Sequence, residues 1–516
     1  MPRKPPITLR ALAVALAALA LCWPAAINGQ PFFHPDTLGY VRGPDVAVMK
    51  LMGPRFASPW ARLDPGAAVA ARQAGAAPGA HGPATHGPAT HGYDDREVLG
   101  GRSIYYGVLA DLGARTGGFW LTVLVQALAV AWLVEIVLRG LGLVSLRAYA
   151  GVMALLALAT PAAFFVSFLM PDIWAGVAIG ALAALFALPG RLRPLDVAAL
   201  SAMTLFAALA HTSVAPVLLA MMAGAGLLWQ VGQRRMRPAL GICVGAAAVV
   251  VAALGAFAFT AMVRHTVGAS PVTPPFLTAR VVADGTGTRL AKAGCGGQAF
   301  VVCRYAARLP MDVDHFLWGE SDRDGVFQTA SPADRRALGE EQARFALAAA
   351  RAYPLDQARA SLANAVQQIG DSHLSDFDYK PSLRQSFAAT LPPETLRTMA
   401  RTRAAAEAWP VLTLWMLHTA VTGLLAIAMG LVALRLGAAG ARPLPAASAA
   451  AARYLALAVV GVLANGVVCG VLSSVNGRYE ARVVWCAPLA LAAWLLVRAQ
   501  AARAPAAAPT LAETMA

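Results

Sequence analysis

Apolar residues in this chain run in long unbroken stretches, separated by short polar and basic links. About ten of these stretches have the roughly 17–25 residues that cross the hydrocarbon core of a bilayer. They lie near 8–27, 118–138, 148–169, 173–190, 195–212, 213–230, 238–263, 409–434, 454–474 and 483–498. Two short hydrophobic hairpins within 148–230 admit other boundaries. The pattern predicts an all-α polytopic membrane protein of about ten transmembrane helices with two long external loops. In chain order it has a first transmembrane anchor (1–27), an external loop (28–117) and helices two to seven (118–263). An external domain (264–408), helices eight to ten (409–498) and a disordered Ala/Pro-rich cytoplasmic tail (499–516) follow.

The two long interruptions have their own patterns. The first begins NGQPFFHPDTLGYVRGPD and passes through a low-complexity tract at 66–92 carrying His81, His86 and His91. A five-residue Gly/Pro period defines no fixed face, and no carboxylate or cysteine is interleaved, so the tract reads as an insertion rather than a metal site. SIYYGVLADLG at 103–113 reads as a short interfacial helix. The second interruption opens PVTPPFLTARVVADGTGTRL, Pro-rich and then strand-like. A helix is expected from Ser331 as N-cap and Pro332 at the first helical position through Arg351, and a second from Pro354.

Composition supports the membrane reading and narrows the partners. The 516 residues are 58% hydrophobic and 13% charged, half the charge of an ordinary soluble domain. The net charge of +15 would point to nucleic acid if it formed a patch. It does not. With the N-terminus inside, the inner links collect 15 basic residues, from Arg3 to Arg503, against Asp196 and Glu513 as acids. The basic balance is therefore a topology signal that puts both termini in the cytoplasm, with no role for nucleic acid. An even number of spans accounts for these charges with the first span kept as an anchor, although its basic start and small residues also fit a signal peptide. Cys22, Cys243, Cys469 and Cys486 lie in or beside spans and read as buried thiols. Cys295 and Cys303 lie in the external domain, where an oxidising compartment would join them.

Walker, GxSxG, HExxH, CxxC and SxxK motifs are all absent, and DGTGT at 284–288 lacks the context of a phosphate loop. What remains is a set of polar residues at the outer ends of different spans. Asp36 sits in HPDTLGY and Asp172 opens a span in MPDIWA. His211, Thr212 and Ser213 form an outer turn, and Arg478, Tyr479, Glu480 and Arg482 lie in VNGRYEARVVW. Ionisable groups at membrane depth are costly and mark a functional cavity by default. Singly, each has a structural reading: Asp172 as a helix-end acid, His211 as a turn residue, and the arginines as headgroup anchors. Glu135 and His418, inside spans, read as structural pairings.

These segments resemble an uncharacterised bacterial membrane-protein family. An acidic residue with a following aromatic after the first span, Asp36-Thr37-Leu38-Gly39-Tyr40, also resembles the GT-C superfamily of polyprenyl-phosphate-sugar glycosyltransferases. That superfamily more often has an Asp-Glu pair at this place. The resemblance implies a GT-C-like enzyme of the bacterial inner membrane, acting on the periplasmic face. Asp36 would be the base, with Asp172 as a second catalytic acid. Arg478 and Arg482, or Arg42 and Arg102, would hold the phosphate, and Tyr40, His211 and Tyr479 would orient donor or acceptor. The partners would be a polyprenyl-phosphate-linked sugar and the lipid bilayer. No cofactor is required because the donor is already activated, and the missing second acid leaves a divalent metal an open question. A transporter or lipid-carrier flippase is the alternative from another class, expected to have polar groups at the bilayer midplane. An outer-face glycan ligase or polymerase is a third reading.

Overall fold

The computed structural model describes residues 6–61, 98–230, 238–319, 321, 323, 325–438 and 445–503. The histidine-bearing tract 66–92 lies outside the described residues, as does the tail beyond Arg503. Among the described residues the fold is helical, and extended pairing is limited to two isolated bridges, Phe32 with Phe168 and Leu99 with Val272. The first half contains α1 (Ile7–Leu21), α2 (Trp23–Asn28), α3 (Thr37–Met52), α4 (Ile104–Arg115), α5 (Trp120–Gly140), α6 (Leu146–Ala159), α7 (Ala162–Val166), α8 (Asp172–Ala187), α9 (Pro194–Ala210), α10 (Val214–Gln230) and α11 (Ala239–Val267). The second contains α12 (Phe276–Ala283), α13 (Thr286–Lys292), α14 (Val313–Trp318), α15 (Pro332–Ala352), α16 (Pro354–Gly370), α17 (Pro381–Thr390), α18 (Pro393–Met399), α19 (Val411–Ala438), α20 (Ala446–Leu472), α21 (Gly477–Ala481) and α22 (Cys486–Ala502).

Among the described residues four helical runs are long and apolar enough to cross a membrane: α5, α11, α20 and the run Gly477–Ala502, in which a tight turn joins α21 to α22. The other six expected stretches contain apolar helices of 10–17 residues, namely α1, α6, α8, α9, α10 and Val411–Leu424 of α19. By length and composition these four are candidate membrane-crossing helices. The stretch expected over 148–169 is not one helix. It stops at Ala159, because Thr160 turns extended and Pro161 has no N–H to continue the ladder, and α7 restarts beyond it.

α8 is the centre of the bundle. All 16 of its residues are buried, and its small residues let neighbours approach closely. A Cβ on Gly176 would lie 2.6 Å from the Trp485 indole nitrogen, and one on Gly180 would lie 2.8 Å from Leu133. The sequence DIWAGVAIGALAALFA therefore makes a buried post, and its N-terminal end carries Asp172.

The segment expected to be strand-like is helical instead. Residues 276–292 form α12 and α13, joined by Gly285 at φ 87°. Burying Ala279, Val282 and Leu290 in a second core with Phe316, Leu338 and Phe345 outweighs the β-branched bias of TARVV. The Ser331 cap is as expected, its side chain accepting from the Asp334 N–H ahead of α15. Cys295 and Cys303 form a disulfide. Of the four thiols expected to be buried, Cys243 is exposed on α11. Glu135 pairs with Arg10 and Arg139 as expected, whereas His418, expected to be paired, has no hydrogen bond to Nδ1 among the described residues.

Candidate functional site

The two loops that carry the acids are fastened side by side. Phe32 N–H donates to the Ser167 carbonyl, Leu169 N–H donates to the Phe32 carbonyl, and Thr37 Oγ1 donates to the Leu169 carbonyl. Gln126 on α5 holds the second loop from below, donating to the Val166 and Phe168 carbonyls at 2.8 and 3.1 Å. Phe32, Phe164, Phe168 and Phe377 pack ring against ring around this junction. The Tyr379 hydroxyl accepts the Phe33 N–H at 2.7 Å, bringing the 371–379 stretch alongside. Sequence-distant segments are thereby joined before any charge is placed.

Asp36 stands at the start of α3, but its carboxylate makes no cap hydrogen bond. It accepts from Arg102 Nη2 instead. Gly39 makes room for this, since a Cβ there would sit 3.2 Å from Arg102 Cγ. His34 lies beside the pair, with Nδ1 3.6 Å from Asp36 Oδ2. Arg478 Nη1 donates to His34 Nε2 at 2.7 Å and lies 3.3 Å from Asp376 Oδ2, while its Nε is 3.8 Å from Asp172 Oδ1. The Asp36 N–H also donates to His34 Nδ1 at 3.2 Å, so both ring nitrogens of His34 face donors.

Arg482 forms the floor. Its Nη1 is 3.3 Å from Asp172 Oδ1 and 2.9 Å from His211 Nε2. Its Nη2 donates to Ser213 Oγ at 2.8 Å and to Asn465 Oδ1 at 3.1 Å. His211 Nδ1 accepts the Ser213 N–H at 3.2 Å and lies 2.9 Å from Ser213 Oγ. Asp172 at 1% and Arg482 at 0% side-chain exposure are sealed, whereas Asp36 and Asp376 keep 25% each. The site thus has a closed polar floor and an upper layer that solvent reaches. Tyr479 lies against both arginines, with guanidinium carbons 5.4 and 5.0 Å from the ring centre.

Electrostatics follow from this layering. Burial alone would raise the Asp36 carboxyl, but Arg102, with His34 and Arg478, outweighs it and holds the group at about 2. Burial and then the Arg478 cation pull His34 down to about 4 against the opposing carboxylates. At neutral pH the upper layer therefore presents an ionised carboxylate, a neutral imidazole and two guanidinium groups. Among the described residues no group of three His, Cys, Asp or Glu side chains is arranged to hold a metal ion. Asp36 and Asp172 are each met by arginine, a setting suited to an anion better than to a cation.

Seven of the nine residues singled out in the sequence meet here: Asp36, Arg102, Asp172, His211, Arg478, Tyr479 and Arg482. Tyr40 flanks the site one turn along α3, buried edge-on against Tyr106. Arg42 does not join it: its Nε is buried with no hydrogen-bond partner among the described residues. Two members escaped sequence reasoning. His34 stood inside the quoted HPDTLGY segment, two residues before Asp36. Asp376 lies in DSHLSDFDY, where nothing in the pattern separates it from the nearby Asp371 and Asp378. No family model, curated protein or solved structure matches the chain.

Proposed function

We propose that the protein is an integral-membrane glycosyltransferase of the GT-C type, moving a sugar from a polyprenyl-phosphate donor to a hydroxyl acceptor on the external face. The observation that carries this reading is a solvent-reached, ionised carboxylate beside two arginines, Asp36 with Arg102 and Arg478, above a sealed polar floor. In this reading the six shorter apolar helices join the four long ones as spans, giving ten, with both termini cytoplasmic in a bacterial inner membrane.

The transfer breaks the bond between the sugar anomeric carbon and the phosphate oxygen and forms one to the acceptor oxygen. The leaving phosphate gains charge as the bond breaks, and Arg102 and Arg478 stabilise it. The acceptor proton goes to Asp36. A carboxylate held at about 2 is ionised but a weak proton acceptor, since a base works best with a pKa nearer the operating pH. Phosphate drawing Arg102 away from Asp36 raises its basicity when donor is bound. Arg482, with five polar partners and no exposure, positions Asp172 and His211 rather than reaching donor.

The polar groups lie at helix ends, with Asp172 beginning α8 and His211 ending α9, which favours surface chemistry over transport through the midplane. The test is transfer of label from polyprenyl-phosphate sugars to acceptors by the purified full-length chain in vesicles. Transfer that is lost on Arg478→Ala supports the proposal. Donor-independent movement of lipid between leaflets, without transfer from any such donor, refutes it.

A further inference from the structure

α16 lies in the stretch expected to be wholly external, yet it carries a stripe of exposed large apolar side chains. Leu355, Leu362, Val366 and Ile369 are 72, 67, 63 and 36% exposed. At 100° per residue all four fall on one narrow face, with Arg359 at its border and Asp356 and Gln367 to the side. The opposite face, with Ala365 and Gln368, is buried. The contact partner there is α20, one of the four helices long enough to cross a membrane. A Cβ on Gly470 of α20 would lie 2.7 Å from the Asn364 carbonyl, and one on Gly466 would lie 2.5 Å from Ile369 Cγ1.

Those glycines fix the depth. Gly470 and Gly466 are two and six residues before the end of α20, so α16 crosses that helix between about 3 and 9 Å short of its terminus. Beside the two glycines, the same part of α20 exposes Leu463 and Val467, at 44 and 46%. A water-exposed row of four large apolar side chains would be costly, and the side chains bounding it fit a helix lying in the plane of the interface, with Arg359 extending toward headgroups.

We infer that α16 is embedded in the leaflet surrounding the Leu472 end of α20, its apolar stripe resting on lipid acyl chains. Its C-terminal turn is tied to the site: Gln368 Nε2 donates to the Asn476 carbonyl, and Asn476 N–H donates to Gln368 Oε1, both at 2.8 Å. Asn476 in turn caps α21, where Arg478 lies, accepting from the Arg478 N–H at 3.0 Å. A lipid-borne helix thus sets the height of the Arg478 loop at the membrane surface. This goes beyond the catalytic reading and stands without it.

The experiment is collision accessibility of nitroxides on the full-length chain in phosphatidylcholine vesicles, with Cys243→Ser removing the exposed thiol. Labels go on Leu362→Cys and Val366→Cys, with Lys292→Cys as the exposed control. Dissolved oxygen should reach 362 and 366 several-fold better than a water-soluble nickel chelate does, and the order should reverse at 292. Nickel access at 362 and 366 equal to that at 292 would put α16 in water and overturn the inference. Exclusion of both reagents would overturn it too, by putting a protein neighbour, such as a second copy, on the stripe.

Discussion

Asp36→Asn separates a catalytic carboxylate from a structural one. The substitution keeps the side-chain shape and removes the charge that Arg102 meets. Asp36 is held at about 2 against an ordinary 3.8, which corresponds to about 2 kcal/mol of native-state stabilisation at neutral pH. A quarter of the side chain reaches solvent, which lowers the figure toward about 1 kcal/mol. Because the folded pKa is depressed, this stabilisation is complete above about pH 4 and is lost as pH falls through about 2. Asn removes it at every neutral pH, so the thermal midpoint in detergent should fall by about 1–3 °C. Catalysis should fall far more, by about 10²–10⁴-fold in transfer per folded molecule, because the acceptor proton loses its destination. The assay is transfer from a polyprenyl-phosphate sugar, normalised to the folded fraction by size-exclusion chromatography. Specific activity close to wild type would refute the base assignment, and an unchanged midpoint would refute the electrostatic account of the Asp36–Arg102 pair.

Other perturbations probe the floor, the packing and the orientation. Arg482→Met leaves Asp172 sealed without its nearest floor cation, and should cost about 3–5 kcal/mol; adding Asp172→Asn should restore part of this in unfolding measurements, and strict additivity would count against the pair. Gly176→Ala drives a methyl into the Trp485 ring and should destabilise by about 1–3 kcal/mol, read as a lower melting midpoint with Arg478 chemistry impaired only through folding. His34, held at about 4 below its ordinary 6.5, contributes stability that is complete above about pH 6.5 and lost as pH falls toward 4, up to about 3 kcal/mol. His34→Asn should therefore flatten the melting profile between those values, and an unchanged slope would show that other groups carry it. Reporter fusions at 80, 300 and 445 should read outside, outside and inside, and an inside signal at 300 would overturn the topology.

How far the chain could be read depends on what a residue's neighbours are. In an apolar background a lone charge stands out, and the cost of burying it means that it has a partner or a task; that is why Asp172, Arg478 and Arg482 could be picked out and why the structure joins them. Local pairings were legible for the same reason, as with Ser331 ahead of α15. Long-range pairings were not. Nothing periodic connects His34 to Arg478 or Arg478 to Asp376, because those contacts are set by the aromatic junction of Phe32, Phe168 and Phe377 rather than by spacing along the chain. Asp376 was hidden for a second reason: among the polar residues of 371–379 an acid is ordinary, and only the fold selects which one turns inward. The misread strand at 276–290 has the opposite cause, since TARVV carries a β-like composition that burial against α15 overrides. If α16 is embedded as we infer, its stripe is a further case in which composition along the chain does not give depth. Its apolar positions were visible in SLANAVQQI, but a helix in a nominally external stretch looks soluble until Gly466 and Gly470 bring it down beside α20. Membrane depth is thus a property of contacts with a spanning helix, and hydropathy counted over one short segment cannot supply it.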